Sequence, residues 1–458
     1  MPRILIVFLF INILPVYSLD LPSMQIADDS LLRIKLKDSW LTETPARVLA
    51  QPPTMQYLQN GERVEVRTEE GKDEFMVILS RELMGGRIAD GANQGIARFG
   101  TGQFPGWAQG SWVLIRRKDT GAGTKIRIFL RSDQYTYLEF KPFNAEKCQM
   151  DVILYDGQAV SSLPIAVSFE RLYTMPVNET LKLIESRFPR RYFDPDPADY
   201  AGQRKFIARV SAHLPELQFA NDGAIDENGA FVYIETLQPQ KPLDSAGLNC
   251  SGFVKWLIDG ILRPVTGERL SIQPLKEPFG TRGSSFTEAW EKIRDPYFGL
   301  DWIRNLASTA NGILRSPEYS VINEFEVRDV SFSSLLVQQK KTFTINSYPG
   351  FLEDAGYGIE GLHVLLYTLA IDEPFKFYLA AVNTEIGERI TAANPRGTPH
   401  FRQYFHTAAL VPYFDEHGSF RVAVFESARE TSFNSFRNRY PKHYVNLVKI
   451  PVVTAFEP

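Results

Sequence analysis

The residues with the most chemical potential are the two cysteines, Cys148 and Cys250, and the six histidines at positions 213, 363, 400, 406, 417 and 443. Cys250 stands in the stretch Gly247-Leu248-Asn249-Cys250-Ser251-Gly252-Phe253-Val254-Lys255-Trp256-Leu257. The run that follows it is rich in apolar residues and can be helical, with Asn249 as a good N-cap, so the thiol falls on the first turn of a buried helix. There the positive end of the helix dipole favours the thiolate, the nucleophilic form, below the ordinary thiol pKa of about 8.5. The duller readings of Cys250 are a packed hydrophobe or one half of a disulfide with Cys148.

A cysteine nucleophile needs a base within hydrogen-bond reach and a polar group that orients the base. His213 at a helix end, His417 in a turn and His443 after Pro441-Lys442 read as surface residues. His363 and His406 remain, each at the start of an expected strand, Leu362 to Ala370 and His406 to Phe414. His400 and His406 lack metal-ligand spacing, and no Cys-x2-Cys or His-x3-His pair accompanies them, so neither a metal nor a cofactor is expected. The strand after His406 turns at Asp415-Glu416-His417-Gly418 into Phe420 to Glu426, which sets position 406 opposite 427, or opposite 426 if the register slips by one. Side chains alternate, so only one of Glu426 and Ser427 faces the histidine. Glu426 is the choice, because a carboxylate holds an imidazolium better than a hydroxyl does. For His363, Asn383 or Glu385 would take that place.

The motif Leu248-Asn249-Cys250-Ser251-Gly252-Phe253-Val254 resembles the nucleophile motif of the NlpC/P60 family of papain-like cysteine peptidases, which cleave the stem peptides of bacterial cell walls. In that family the cysteine opens a helix packed on an antiparallel sheet, the histidine begins a following strand, and the next strand brings a third polar residue. His406-Thr407-Ala408-Ala409-Leu410-Val411 and Phe420-Arg421-Val422-Ala423-Val424-Phe425-Glu426 fit that order. The resemblance implies Cys250 as nucleophile, His406 as general base and Glu426 as orienting group, with His363 as runner-up base. It also implies an α+β, papain-like fold with N-terminal helices and a catalytic cysteine helix on an antiparallel sheet, and peptidoglycan stem peptides as substrate. Two departures stand out: Asn249 where the family has Asp, and a long segment between Cys250 and His406.

The elements that would position these residues follow from the rest of the chain. At 458 residues, with 44% hydrophobic and 23% charged residues, the sequence belongs to a folded protein of more than one domain. A net charge of -4 gives no pull toward nucleic acid. Arg3, the apolar run Ile4 to Leu14 and Val16-Tyr17-Ser18 read as a signal peptide over residues 1–18, too short for the roughly 20 apolar residues of a membrane span. Export to the periplasm or the extracellular space of a bacterial envelope is expected, with no transmembrane anchor in the mature chain. Strand patterns from Arg63 to Phe169 predict an all-β domain, a sandwich or small barrel, over 19–175. Helical spacing after Pro176, as in Phe206, Val210 and Leu214, opens the α+β domain, 176–458, with an insertion at about 263–355. Gly260 reads as a C-cap or break in the cysteine helix, and Tyr297 to Ala307 as a helix. Asn221 to Gly229 resembles a calcium loop but lacks EF-hand spacing and reads as a turn.

The expected activity is thus amide hydrolysis by an exported thiol enzyme. The competing expectations are an inactive envelope protein that keeps the fold as a binding or structural module, and a thiol-dependent acyltransferase.

Overall fold

The computed structural model describes residues 29–83, 87–89, 96–98, 102–155, 157–184, 192–193, 195–241, 245–280, 295–328, 330, 351–352, 355–386, 401–416 and 418–458. The leader-like residues 1–18, His400, His417 and parts of the 263–355 segment lie outside them. The chain is a mixture of helix and antiparallel sheet, and no helix among the described residues is long and apolar enough to cross a membrane.

The first part opens with α1 (Ser30–Leu36) and α2 (Pro45–Leu49), and then forms strands β1 (Thr54–Tyr57), β2 (Arg63–Glu70) and β3 (Glu74–Arg81). After the small hairpin of β4 (Arg87–Ala89) and β5 (Ile96–Arg98) come β6 (Trp112–Arg117), β7 (Gly123–Ile128), β8 (Tyr137–Pro142), β9 (Cys148–Leu154) and β10 (Gly157–Ile165). Eight of these pair in chain order, β1-β2-β3-β6-β7-β8-β9-β10, as one continuous antiparallel meander where a sandwich or small barrel was expected. Alternation sorts the side chains: Phe75, Val77 and Leu79 of β3 enter the main core, while Ile78 packs with Val113, Ile115 and Phe129 in a smaller cluster.

Helices α3 (Val177–Ile184) and α4 (Ala201–His213) and the short strands β11 (Ala224–Ile225) and β12 (Phe231–Val232) lead to α5 (Cys250–Thr266), the cysteine helix. Then come α6 (Gln273–Lys276), α7 (Phe298–Leu314), α8 (Ile322–Phe325), β13 (Tyr357–Gly358), α9 (Leu362–Asp372), β14 (Lys376–Ile386), β15 (Phe401–Phe414), β16 (Phe420–Glu426), β17 (Arg429–Thr431), α10 (Phe433–Arg439) and β18 (Tyr444–Pro451). The second sheet runs β13-β18-β14-β15-β16-β17.

This sheet is buried on both faces. Phe377, Leu379 and Ala381 of β14 and Ala409 and Val411 of β15 meet α5 and α7. Tyr378, Ala380, Val382, Ala408 and Leu410 face the core shared with α9 and the first sheet. Arg131, in the loop after β7, ties the two sheets together by bonding Tyr367 Oη of α9 at 3.1 Å and the carbonyl of Gly418.

Two segments depart from the sequence expectations. Leu362 to Ala370 is helical, so His363 does not start a strand. The reason is burial: Leu362, Val364, Leu365, Leu366, Tyr367, Leu369 and Ala370 are enclosed on all sides, and a helix without a solvent face shows no 3.6-residue period. Gly260 neither caps nor breaks α5, which runs on to Thr266 and is capped by Gly267 at φ 78°. A Cβ on Gly260 would overlap the ring of Phe456, so this glycine is a packing position.

Helix α5 sits where it does because the chain can approach it closely. Gly252 lies on the carbonyl oxygen of Gly223, which a Cβ at position 252 would overlap. A buried ion pair fixes the next turn: Lys255 Nζ donates to Asp259 Oδ2 at 2.6 Å and to the carbonyl of Ile225 in β11 at 2.7 Å, and Asp259 Oδ1 accepts the Leu270 N–H at 2.8 Å. We predict that Gly252→Ala separates α5 from the residues before β11 and destabilises the fold by about 1–3 kcal/mol. Urea unfolding measures this; an unchanged midpoint would show that the close approach is dispensable.

Candidate active site

Cys250 is the first residue of α5, as its motif predicted. Asn249 is extended (φ -83°, ψ -174°), and its Oδ1 accepts the Gly252 N–H at 2.7 Å, the N-cap arrangement expected of this residue type. The loop leading in is fixed from behind by Gln240, a buried residue that no sequence pattern marks. Its Nε2 donates to the carbonyls of Gly247 at 2.9 Å and Val232 at 3.1 Å, and its Oε1 accepts the Gly247 N–H at 2.8 Å. Helix α7 holds the same turn, since Trp302 Nε1 donates to the carbonyl of Ser251 at 2.8 Å. A thiol placed this way has its sulfur and its own N–H at a rigid, positive helix end.

His406, on β15, stands beside the Cys250 thiol, close enough for each to shift the ionisation of the other. A bulge falls beside it: Val382 pairs with His406 and Asn383 with Tyr404, leaving Phe405 as the extra residue. Bulges re-aim side chains, and here the imidazole lies between the thiol and a carboxylate. His406 Nε2 is 2.7 Å from Glu426 Oε2, which leaves Nδ1 for the sulfur.

Glu426 reaches the histidine by a register that differs from the predicted one. Ala409 pairs with Phe425, so Glu426 is level with Ala408, and His406 is its diagonal neighbour on the same face rather than its direct partner. Nor is Glu426 a solvated charge at a strand end. It is fully buried, and its Oε1 accepts Arg439 Nη1 at 2.6 Å and Thr431 Oγ1 at 2.9 Å. The turn after it is tight: Ser427 (φ 49°) and Ala428 (φ 62°) are both left-handed without being glycine, at a cost of about 1–2 kcal/mol each.

Arg439, Thr431 and Tyr440, whose ring lies 5.3 Å from that of His406, belong to the site although no sequence pattern pointed to them. Thr407, the buried neighbour of His406 on β15, joins them and helps to hold the Cys250 thiol down.

The electrostatics follow from these contacts. Burial pushes the Cys250 thiol up, but the bond to His406 and its charge outweigh burial and bring it down to about 7. Burial likewise works against a charged His406, yet the thiolate and Glu426 together raise it to about 9. Glu426 is held down to about 2 by His406, Arg439 and Thr431, against its own burial. Between these values the thiolate–imidazolium pair is the favoured form. Cys148 is the opposite case, a free thiol inside β9 that burial pushes up to about 12, and it does not pair with Cys250.

His363, the alternative base, is placed elsewhere. It lies on α9, across the second sheet from α5, with its ring against Tyr155, Phe420 and Phe433. Burial lowers it to about 3, so it is a neutral packing residue. Asn383 and Glu385 are bonded to Arg402 instead. Asn221 to Gly229 contains β11 and most of the turn that leads back into β12, in which Asp226 accepts the N–H groups of Asn228 and Ala230. No group of metal-ligating side chains occurs among the described residues.

We predict that His406→Ala leaves burial unopposed and returns Cys250 to or above the ordinary thiol pKa of about 8.5. Alkylation by iodoacetamide at pH 7 then slows by about three- to tenfold, because loss of thiolate outweighs the greater nucleophilicity of a more basic thiol. Glu426→Gln lies between the two. Equal rates for all three proteins across pH 6 to 9 would show that the histidine does not ionise the thiol.

A family model described as a domain of unknown function (DUF8515) matches residues 22–192, the part that carries the first sheet. No curated protein matches the chain, and no solved structure does.

Proposed function

We propose that this chain is an exported cysteine hydrolase of papain-like architecture that cleaves amide bonds in peptidoglycan stem peptides. The observation that carries the reading is the continuous chain from the thiol of Cys250 through His406 to the buried carboxylate of Glu426, at the N-terminus of a helix packed on an antiparallel sheet. A structural cysteine needs none of these three features, and Cys148 has none of them. The substrate class rests on the resemblance of the Leu248 to Val254 motif to the NlpC/P60 peptidases. Export rests on the leader-like pattern of Arg3 and Ile4 to Leu14.

The chemistry runs in two steps. The Cys250 thiolate attacks the amide carbonyl carbon, forming a C–S bond, and the oxygen that becomes negative is met by the Cys250 N–H at the helix N-terminus. His406 gives its Nδ1 proton to the departing nitrogen, the C–N bond breaks, and an acyl-thioester remains. In the second step neutral His406 takes a proton from water, the hydroxide oxygen attacks the thioester, and the thiolate leaves with the carboxylic acid as product. Glu426 stays ionised throughout and holds the ring by Nε2. The Tyr440 ring covers one side of the imidazole, which strengthens these interactions by excluding water.

Purified muropeptides incubated with the protein and read by mass test this proposal. The expected result is a gain of one water per cleaved amide, lost by about 10³-fold or more in Cys250→Ala and His406→Ala. Exchange of one amine for another without gain of water would mean acyl transfer. Unchanged masses across several stem chemistries, with the muropeptide retained by the protein, would mean a binding module.

A further inference from the structure

Glu426 has more partners than an orienting carboxylate requires. Its two oxygens are divided: Oε2 faces His406 Nε2, while Oε1 takes both Arg439 Nη1 and Thr431 Oγ1. The two donors to Oε1 come from elements unrelated to the cysteine–histidine pair. Thr431 ends β17, which is folded back on β16 by the left-handed turn at Ser427 and Ala428 so that Val424 pairs with Thr431. Arg439 is the last residue of α10. That helix is capped by Ser432, whose hydroxyl accepts the Ser435 N–H at 3.0 Å, and is anchored by buried Phe433 and Phe436. The next residue, Tyr440, puts its ring on His406, and the Arg439 guanidinium lies over that same ring at 5.6 Å.

From this geometry we propose that Arg439 is a positioning residue of the site, which fixes the Glu426 carboxylate so that Oε2 stays on His406 Nε2 and the imidazole stays on Cys250. The proposal rests on the reading of Cys250 and His406 as a reactive pair. A buried carboxylate bonded only through Oε2 can turn about its terminal torsion and exchange oxygens, because that torsion is broad and two-fold. Arg439 and Thr431 remove this freedom, and Arg439 adds a charge that the other members need. With the thiolate and imidazolium formed, Cys250, His406, Glu426 and Arg439 carry two negative and two positive charges and are neutral as a group. Without Arg439 the same state leaves one uncompensated negative charge in a largely buried site, a costly arrangement.

The other groups around Glu426 do not substitute for it. Arg429, its ladder partner across the turn, is as exposed as Arg439 but its guanidinium does not bond the carboxylate, and Tyr440 is neutral at working pH because burial raises its phenol. His443 reaches the Tyr440 ring at 6.0 Å and bonds the carbonyl of Pro441 through Nδ1. Arg439 is thus the cation that bonds Glu426 from outside the cysteine–histidine pair. It was invisible in the sequence because it lies beyond the strand pattern that identified the acid, on a helix with no motif of its own.

The test uses the full-length protein and the pH dependence of Cys250 alkylation by iodoacetamide, in wild type, Arg439→Met and Arg439→Lys, with thermal unfolding of each. The proposal expects the lower limb of the Arg439→Met profile to move up by half a pH unit or more, which is about a threefold loss of rate at pH 6. Arg439→Lys keeps the cation and is expected to recover most of the shift, even if both variants lose stability. A purely structural arginine would lower the unfolding temperature without moving the limb. An Arg439→Met limb that coincides with wild type near pH 7, or a Lys variant displaced as far as Met, overturns the proposal while leaving the cysteine–histidine reading intact. A wild-type limb at the ordinary thiol value overturns that reading and the proposal with it.

Discussion

A thiolate, an imidazolium and a carboxylate held together away from water form the constraint that the rest of this structure serves. Each of these ions is expensive to bury alone. Burial opposes the ionised form of Cys250, His406 and Glu426 in every case, and the balance turns only because each ion has a bonded partner of opposite charge. The partners must therefore be held at hydrogen-bond distance by elements that do not give. Gly252 against Gly223, Gln240 behind Gly247 and Trp302 on Ser251 hold the helix end, the bulge at Phe405 aims the histidine, and a tight turn and α10 hold the acid.

The first sheet also has a part in this rigidity. Its core residues, such as Val64, Leu79 and Met150, belong to one cluster with Leu365 and Tyr367 of α9 and Leu410 and Val424 of the second sheet. The sheet that carries His406 and Glu426 is thereby packed from behind while α5 and α7 press on it from the front. His363 belongs to this support. Its neutral ring fills the space between Tyr155, Phe420 and Phe433, and Phe433 begins the helix that ends in Arg439.

What was legible in the sequence is what local chemistry dictates. Asn before Cys-Ser-Gly and an apolar run specifies a capped helix with a thiol on its first turn, and this is the observed geometry. The strand alternation around His406 and Glu426 placed both on neighbouring strands. The failures have a common cause, namely that the decisive neighbour is distant in sequence. The all-apolar segment at 362–370 reads equally as strand or helix until burial on every side is known. Gly260 looks like a helix end until Phe456, from the far end of the chain, is seen to need its space. The bulge at Phe405 arises where β15 pairs with β14, outside the hairpin read from the sequence, and nothing local marks Gln240, Thr431 or Arg439 as partners of a site.

Cys250 differs from Cys148 in being held as a thiolate near neutrality by its surroundings. Ultraviolet titration of thiolate absorbance on the intact, folded protein tests this most directly. A single thiol is expected to ionise with a midpoint of about 7, assigned to Cys250 by its loss in Cys250→Ala, and a second thiol, Cys148, to stay silent until about 12. Two thiols that both ionise at or above about 8.5, the value of a free cysteine, would contradict it.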